Sequence, residues 1–224
     1  MSTGVTATTA LVAVGTVAAV LALALALLRS RRQLALARDE ARQNRRLADL
    51  DGLTGLHNRR YFHELLAREV ARAQRYGREL ALVVFDLDDF KSINDRIGHL
   101  AGDAVLAETA ERARGVVRSA DIACRVGGDE FAVLLPEASG REAELLYQRL
   151  HHAVSSTPVA EAGDVSVSAG IAELQADDDP STFFERADQA LYRAKERGKG
   201  QVVRAPRRSA PSDATRRPGT ASNQ

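Results

Sequence analysis

The spacing of apolar residues between positions 51 and 204 changes repeatedly, and each period predicts an element. Over residues 58–74, Phe62, Leu65, Leu66 and Val70 fall on one helical face. Residues 80–85, LALVVF, form an unbroken apolar run with the length of a buried strand. A second helix is expected over 101–117. Two short strands, 122–126 and 131–135, then flank Gly127-Gly128-Asp129-Glu130, a glycine-led hairpin turn. Residues 141–154 predict a third helix and 165–174 a strand. The last helix, 181–197, repeats Phe184, Ala187, Leu191 and Ala194 at helical spacing, stops at Gly198 and leads to a short strand at 201–203. This order predicts an α+β domain with helices packed on a central, mostly antiparallel sheet.

Outside that span the pattern differs. Residues 10–28 carry no charge, and these 19 residues at about 1.5 Å each approach the roughly 30 Å hydrocarbon core, which predicts one transmembrane helix. A cleavable signal peptide is the competing reading. Such a leader has a basic segment before the apolar run, whereas residues 1–9 contain no Lys or Arg. Arg29, Arg31, Arg32, Arg38, Arg42, Arg45 and Arg46 all follow the run. By the positive-inside rule the expectation is a single-pass protein of the cytoplasmic (inner) membrane with its C-terminal part in the cytoplasm. Residues 29–50 lack Gly and Pro and predict a basic helical linker, either a short parallel coiled coil or a solvated segment near anionic lipid. Residues 205–224, rich in Ser, Pro, Thr and Arg, predict a disordered tail.

Composition narrows the partners. At 224 residues, 45% hydrophobic and 27% charged, the chain has room for one ordinary domain plus extensions. Basic and acidic residues number 31 and 30, so no overall field draws it to DNA or RNA, and neither is expected as a partner. Cys124 is the only cysteine, which excludes an internal disulfide, and no Cys/His grouping has zinc-site spacing.

Candidate chemistry lies in two acidic clusters. Asp86, Asp88 and Asp89 follow the 80–85 strand, and Asp129 and Glu130 sit in the hairpin. If those strands are neighbours, the clusters meet at one edge of the sheet. Hard cations such as Mg²⁺ take one or two carboxylates supplemented by water and phosphate oxygens, so converging carboxylates suit a Mg²⁺-nucleotide site. Gly127 and Gly128 lack a Cβ and leave room for a phosphate at the turn. Taken alone, a Gly-Gly-Asp hairpin is more often a plain turn and a DxDD run a solvated strand end. Asp88 and Asp89 are expected to be solvated.

The company these clusters keep goes further. FDLDDFKSINDRIGHLAGD at 85–103 and RVGGDEFAVLLP at 125–136 resemble the GGDEF family of diguanylate cyclases, as do DGLTGLHNRR at 51–60 and ADQALYRAKERGKGQV at 187–202. The resemblance covers residues 51–204 and implies a palm-like, nucleotidyl-cyclase-like fold. It also implies condensation of two GTP into cyclic di-GMP with two pyrophosphates released. Carried over residue by residue, it makes Asp86, Asp129 and the backbone carbonyl of Leu87 ligands of Mg²⁺, with Mn²⁺ as the alternative ion, and Glu130 either an auxiliary acid of that metal site or a structural acceptor. Asp129 would also be the general base, and Lys91 would stabilise the transition state. Asn94 and Asp103 match the guanine-recognition residues, and Lys195 and Lys199 the phosphate contacts. Many members have Gly-Arg-Asn where this chain has Gly198-Lys199-Gly200, which keeps a charge but loses the bidentate fork.

The attacking hydroxyl and the attacked phosphate belong to different nucleotides, so this chemistry implies a homodimer with facing half-sites. Arg118 and Asp121, in R-S-A-D, match the family's inhibitory product site, with Arg149 as a secondary contact. The plain alternative is that they cap the turn before a strand. The competing reading of the whole domain is a catalytically inactive module that binds cyclic di-GMP or GTP.

Overall fold

A computed structural model describes residues 29–33 and 48–207 of the chain. The chain divides into two compact units, Met1–Ala48 and Asp49–Gln224. In the first, residues 29–33 are helical. The apolar run at 10–28, most of the basic linker (34–47) and residues 208–224 lie outside the described residues. Among the described residues no helix is long and apolar enough to cross a membrane. That finding overturns the expected single-pass location in the inner membrane. The two longest helices described, Arg59–Tyr76 and His99–Val116, have 18 residues each, but charged side chains break up their apolar positions because each buries only one face.

The second unit is built on a five-stranded sheet. In chain order its elements are α1 (Arg59–Tyr76), β1 (Leu80–Leu87), α2 (Phe90–Ile97), α3 (His99–Val116), β2 (Ile122–Arg125) and β3 (Glu130–Pro136). They continue as α4 (Gly140–Ser155), a 3-10 turn at Ala160–Ala162, β4 (Val167–Glu173), α5 (Pro180–Glu196) and β5 (Val202–Arg204). The strand order is β2-β3-β1-β4-β5, antiparallel except for the parallel pair β4 and β5. This agrees with the expected mostly antiparallel sheet.

The uninterrupted apolar run of β1 has a simple cause: it is the central strand and both of its faces are covered. Leu80, Leu82 and Val84 join a core with Phe62, Leu65 and Leu66 of α1 and Phe183 and Leu191 of α5. Ala81, Val83, Phe85 and Leu87 join a second core with Val105 and Leu106 of α3 and Leu146 and Leu150 of α4. The alternation is the period of two that any strand imposes. It also assigns Asp86 to the α1/α5 side. Helix α5 lies so close to β4 that a Cβ on Gly170 would meet the Ala187 carbonyl oxygen at 2.0 Å and the Leu191 nitrogen at 2.2 Å.

Helix ends follow local chemistry. The Asn58 side chain accepts from the Tyr61 N–H at the start of α1, and Gly77, at φ 62°, closes its end. Ser139 with Glu142, and Asp179 with Thr182, form capping boxes for α4 and α5. The short helix α2 has no counterpart among the predicted elements. Its eight residues, FKSINDRI, bury only Phe90 and Ile93, too few positions for helical periodicity to stand out.

Candidate active site

The two acidic clusters converge because β1 and β3 are neighbours in register. Asp86 stands opposite Glu130 on one side and Ser168 of β4 on the other. Asp86 is 5% exposed, and its carboxylate bonds the Lys195 ammonium of α5 at 2.7 Å. Burial, reinforced by the nearby charges of Asp129 and Glu130, pushes its pKa up to about 6 against the opposing pull of Lys195. Glu130 is also raised, first by burial and then by Asp188 and Asp129, with Lys195 and Arg59 opposing. Crowded carboxylates with raised pKa values form a site that gains from a cation. The Lys195 ammonium supplies one positive charge to it.

Among the described residues no three His, Cys, Asp or Glu side chains form a ready-made metal cage. One or two carboxylates, completed by phosphate and water, are the usual arrangement for Mg²⁺, and Asp86 with Asp129 or Glu130 beside it can supply them. Leu87 is the last residue of β1 and is buried.

The hairpin is held from outside. Val126 and Gly127 N–H groups both donate to the Glu130 carbonyl. The guanidinium of Arg125 donates to the Gly128 carbonyl through Nε (3.1 Å) and Nη2 (2.7 Å), and Nη1 reaches the Asp51 carboxylate at 3.1 Å. Asp51 in turn accepts from the backbone and hydroxyl of Thr54, and these bonds with Arg125 hold its carboxyl below the usual range despite partial burial. This Asp51-Arg125 clamp was not among the expected site residues, although both lie in the quoted motifs. The two glycines differ in what they need. A Cβ on Gly127 would meet Glu130 Oε2 at 2.6 Å, whereas at Gly128 nothing lies within 4 Å. Gly128 has no positive φ either, so neither crowding within the chain nor backbone conformation requires a glycine there.

Beyond β1 the chain enters α2 through Asp89, at φ 57°. Lys91 is exposed on the first turn of this helix. Asn94 Oδ1 is buried without a hydrogen-bond partner, and it lies where a Cβ on Gly102 would be, 1.7 Å away. Asp103, one residue on, is exposed in the opening turns of α3. An acceptor oxygen buried with no donor is costly unless a ligand supplies one. The junction of α2 and α3 therefore fits a ligand N–H.

Asp88 corrects the sequence reading. It is 8% exposed, not solvated, and accepts from the Ser166 hydroxyl, the Ser168 hydroxyl at 2.6 Å and the Gly200 N–H at 2.9 Å. Asp89 is exposed as expected, but its carboxylate pairs with Lys199 at 2.6 Å. Arg118, Asp121 and Arg149 do not join the acidic centre. Ile122, the first residue of β2, pairs with Leu134 near the far end of β3, about 13 Å along the strand from Glu130 at the usual rise. Asp121 accepts from the Arg118 N–H at 3.0 Å, the turn-capping arrangement, while the Arg118 guanidinium is 56% exposed and reaches Glu142 of α4 at 3.4 Å. Arg149 is exposed two helical turns further along α4.

The family model described as the GGDEF domain of diguanylate cyclases matches residues 48–201. The diguanylate cyclase DgcP of Pseudomonas aeruginosa is 45% identical over 161 residues, 70% of this chain and 24% of that protein. The diguanylate cyclase DgcS of Shewanella oneidensis is 41% identical over 152 residues, 68% of this chain and 51% of that protein. This chain thus spans between about a quarter and about half the length of these relatives. Among solved structures, the coiled coil and GGDEF domain of DgcB from Caulobacter crescentus, in complex with c-di-GMP, superposes with a TM-score of 0.75 at 33% identity. The match covers 82% of this chain and 99% of that one.

Proposed function

Since the chain belongs to the GGDEF-domain family of diguanylate cyclases, we propose that it condenses two GTP into cyclic di-GMP, releasing two pyrophosphates, between facing half-sites of a homodimer. The observation that carries this reading is the register of Asp86 against Glu130, which joins the two acidic segments. In each of two steps a ribose 3′-hydroxyl oxygen bonds to the α-phosphorus of the other nucleotide. The bond from that phosphorus to pyrophosphate breaks, and the hydroxyl proton goes to Asp129. Mg²⁺, or Mn²⁺, held by Asp86, Asp129, Glu130 and the Leu87 carbonyl would lower the hydroxyl's pKa and neutralise charge on the phosphate oxygens.

The chain's own groups supply the rest. The unpartnered Asn94 oxygen and the Asp103 carboxylate accept from guanine N1 and N2, a donor pair that adenine lacks. The space at Gly128, with Gly127 beside it, admits a phosphate against the hairpin backbone. Lys91 balances transition-state charge, and Lys195 and Lys199 bind phosphates. Lys195, which bonds Asp86, reaches the phosphates by releasing that carboxylate.

Product inhibition is part of the proposal. The related DgcB domain is solved in complex with c-di-GMP, and the exposed guanidinium groups of Arg118 and Arg149 suit a cyclic dinucleotide's phosphates and guanine edges. In the decisive experiment the protein is incubated with GTP and Mg²⁺ and cyclic di-GMP is measured by chromatography. Product that disappears in the Asp129→Ala variant is the expected result. GTP binding without product from a folded dimer would replace the cyclase with a binding module.

A further inference from the structure

The end of β1 is fastened at three points to the last turn of α5 and the turn that follows it. Asp86 bonds Lys195, Asp88 accepts from the Gly200 N–H, and Asp89 bonds Lys199. The first two involve buried carboxylates. The third is in the open, with the Lys199 and Asp89 side chains 42% and 62% exposed.

Its backbone is unusual. Asp89 has φ 57°, and Lys199 has φ 63° between Gly198 at 111° and Gly200 at 57°. Three successive residues thus occupy the left-handed half of conformational space, and only the middle one has a side chain to lose by it. Non-glycine residues held in this region cluster where ligands are gripped. The bond from Gly200 to Asp88 fixes the turn on one side and the Lys199 N–H donates to the Ala194 carbonyl on the other. The stem of Lys199 is thereby aimed along the acidic strand end, and Asp89 meets its ammonium.

Resting on the reading that Lys199 binds phosphate, we infer that Asp89 is an internal competitor for that lysine, one that a nucleotide must displace. The sign follows from charge. A triphosphate brings negative charge to a turn where Asp89 already holds the cation, so the carboxylate opposes binding by occupying Lys199 and by repulsion. The size follows from exposure. An ion pair open to solvent is weak and screened, so its removal tightens nucleotide binding about two- to fivefold, not by orders of magnitude. Asp89 touches no reacting atom and is a positioning residue that sets affinity.

The test uses the full chain. Calorimetric titration with the α,β-methylene analogue of GTP in Mg²⁺ gives Kd without turnover, and initial rates on GTP give KM. Asp89→Asn is expected to lower both about two- to fivefold, Lys199→Met to raise both, and Asp89→Asn to gain clearly less when Lys199 is already Met. An unchanged or weaker Kd in Asp89→Asn, or an equal gain on both backgrounds, would overturn the inference. A wild type that binds the analogue without making cyclic di-GMP would sink the cyclase reading instead, leaving the Kd comparison to decide the role of Asp89.

Discussion

Asp88→Asn separates a strand end held by a buried carboxylate from one held by the sheet ladder alone. The wild-type carboxylate receives donors from Ser166, Ser168 and the Gly200 backbone. In the variant the amide turns its oxygen towards the Ser166 hydroxyl and the Gly200 N–H, and its NH₂ group faces the Ser168 hydroxyl, which rotates to accept. The loss is therefore the acceptor of the buried Ser168 hydroxyl proton, plus the charge assistance of the other two bonds, about 2–3 kcal/mol. For a domain of this size, with each kcal/mol worth about 2–4 °C, the expected fall in Tm is roughly 4–12 °C. Thermal unfolding followed by circular dichroism, wild type beside variant at one pH, reads it directly. A shift below about 1 °C, well under 1 kcal/mol, would refute the clasp and return Asp88 to the solvated role its sequence suggests.

Three further outcomes follow from the same structure. Gly170→Ala drives a methyl group into the α5 backbone, so it should cost more than the about 1–3 kcal/mol of ordinary overpacking, seen as a lower urea midpoint. It should also weaken activity, because α5 carries Lys195; an unchanged midpoint would show that helix and sheet separate freely. Burial pushes the Cys124 thiol up from 9.0 to about 12, so it should resist thiol reagents in the native protein and react fully in denaturant. Unfolding frees the thiol to ionise first, so stability due to this group is intact below about pH 9 and is lost as pH rises towards 12. Cys124→Ala should flatten that alkaline slope, and an identical slope would assign it to other groups. Arg118→Ala should raise the cyclic di-GMP concentration needed for half-inhibition at least about tenfold, the worth of one charge-assisted contact to phosphate; unaltered inhibition would leave Arg118 as a turn residue.

Legibility in the sequence tracked the range of the interactions involved. The buried run at β1, the hairpin glycines and the periodic faces of α1 and α5 are each written in one short stretch of consecutive residues, and they are read correctly to within a few residues. Helix α2 escapes because eight residues with two buried positions carry no visible period. The apolar run at 10–28 invited a membrane reading that the described helices do not support.

The sequence by itself determined which residues carry charge at the strand end and hairpin, and the quoted motifs identified the family. It could not determine their partners. Asp86, Asp88 and Asp89 are near neighbours with one kind of side chain, yet one bonds the Lys195 ammonium, one is buried under two serines and a glycine N–H, and one meets Lys199 in the open. Strand alternation alone puts Asp86 on the α5 side. The other differences come from segments about 80 to 110 positions away that β4 and α5 bring to the end of β1. Burial and electrostatics act through space, so only the tertiary structure decided what each of these acids does.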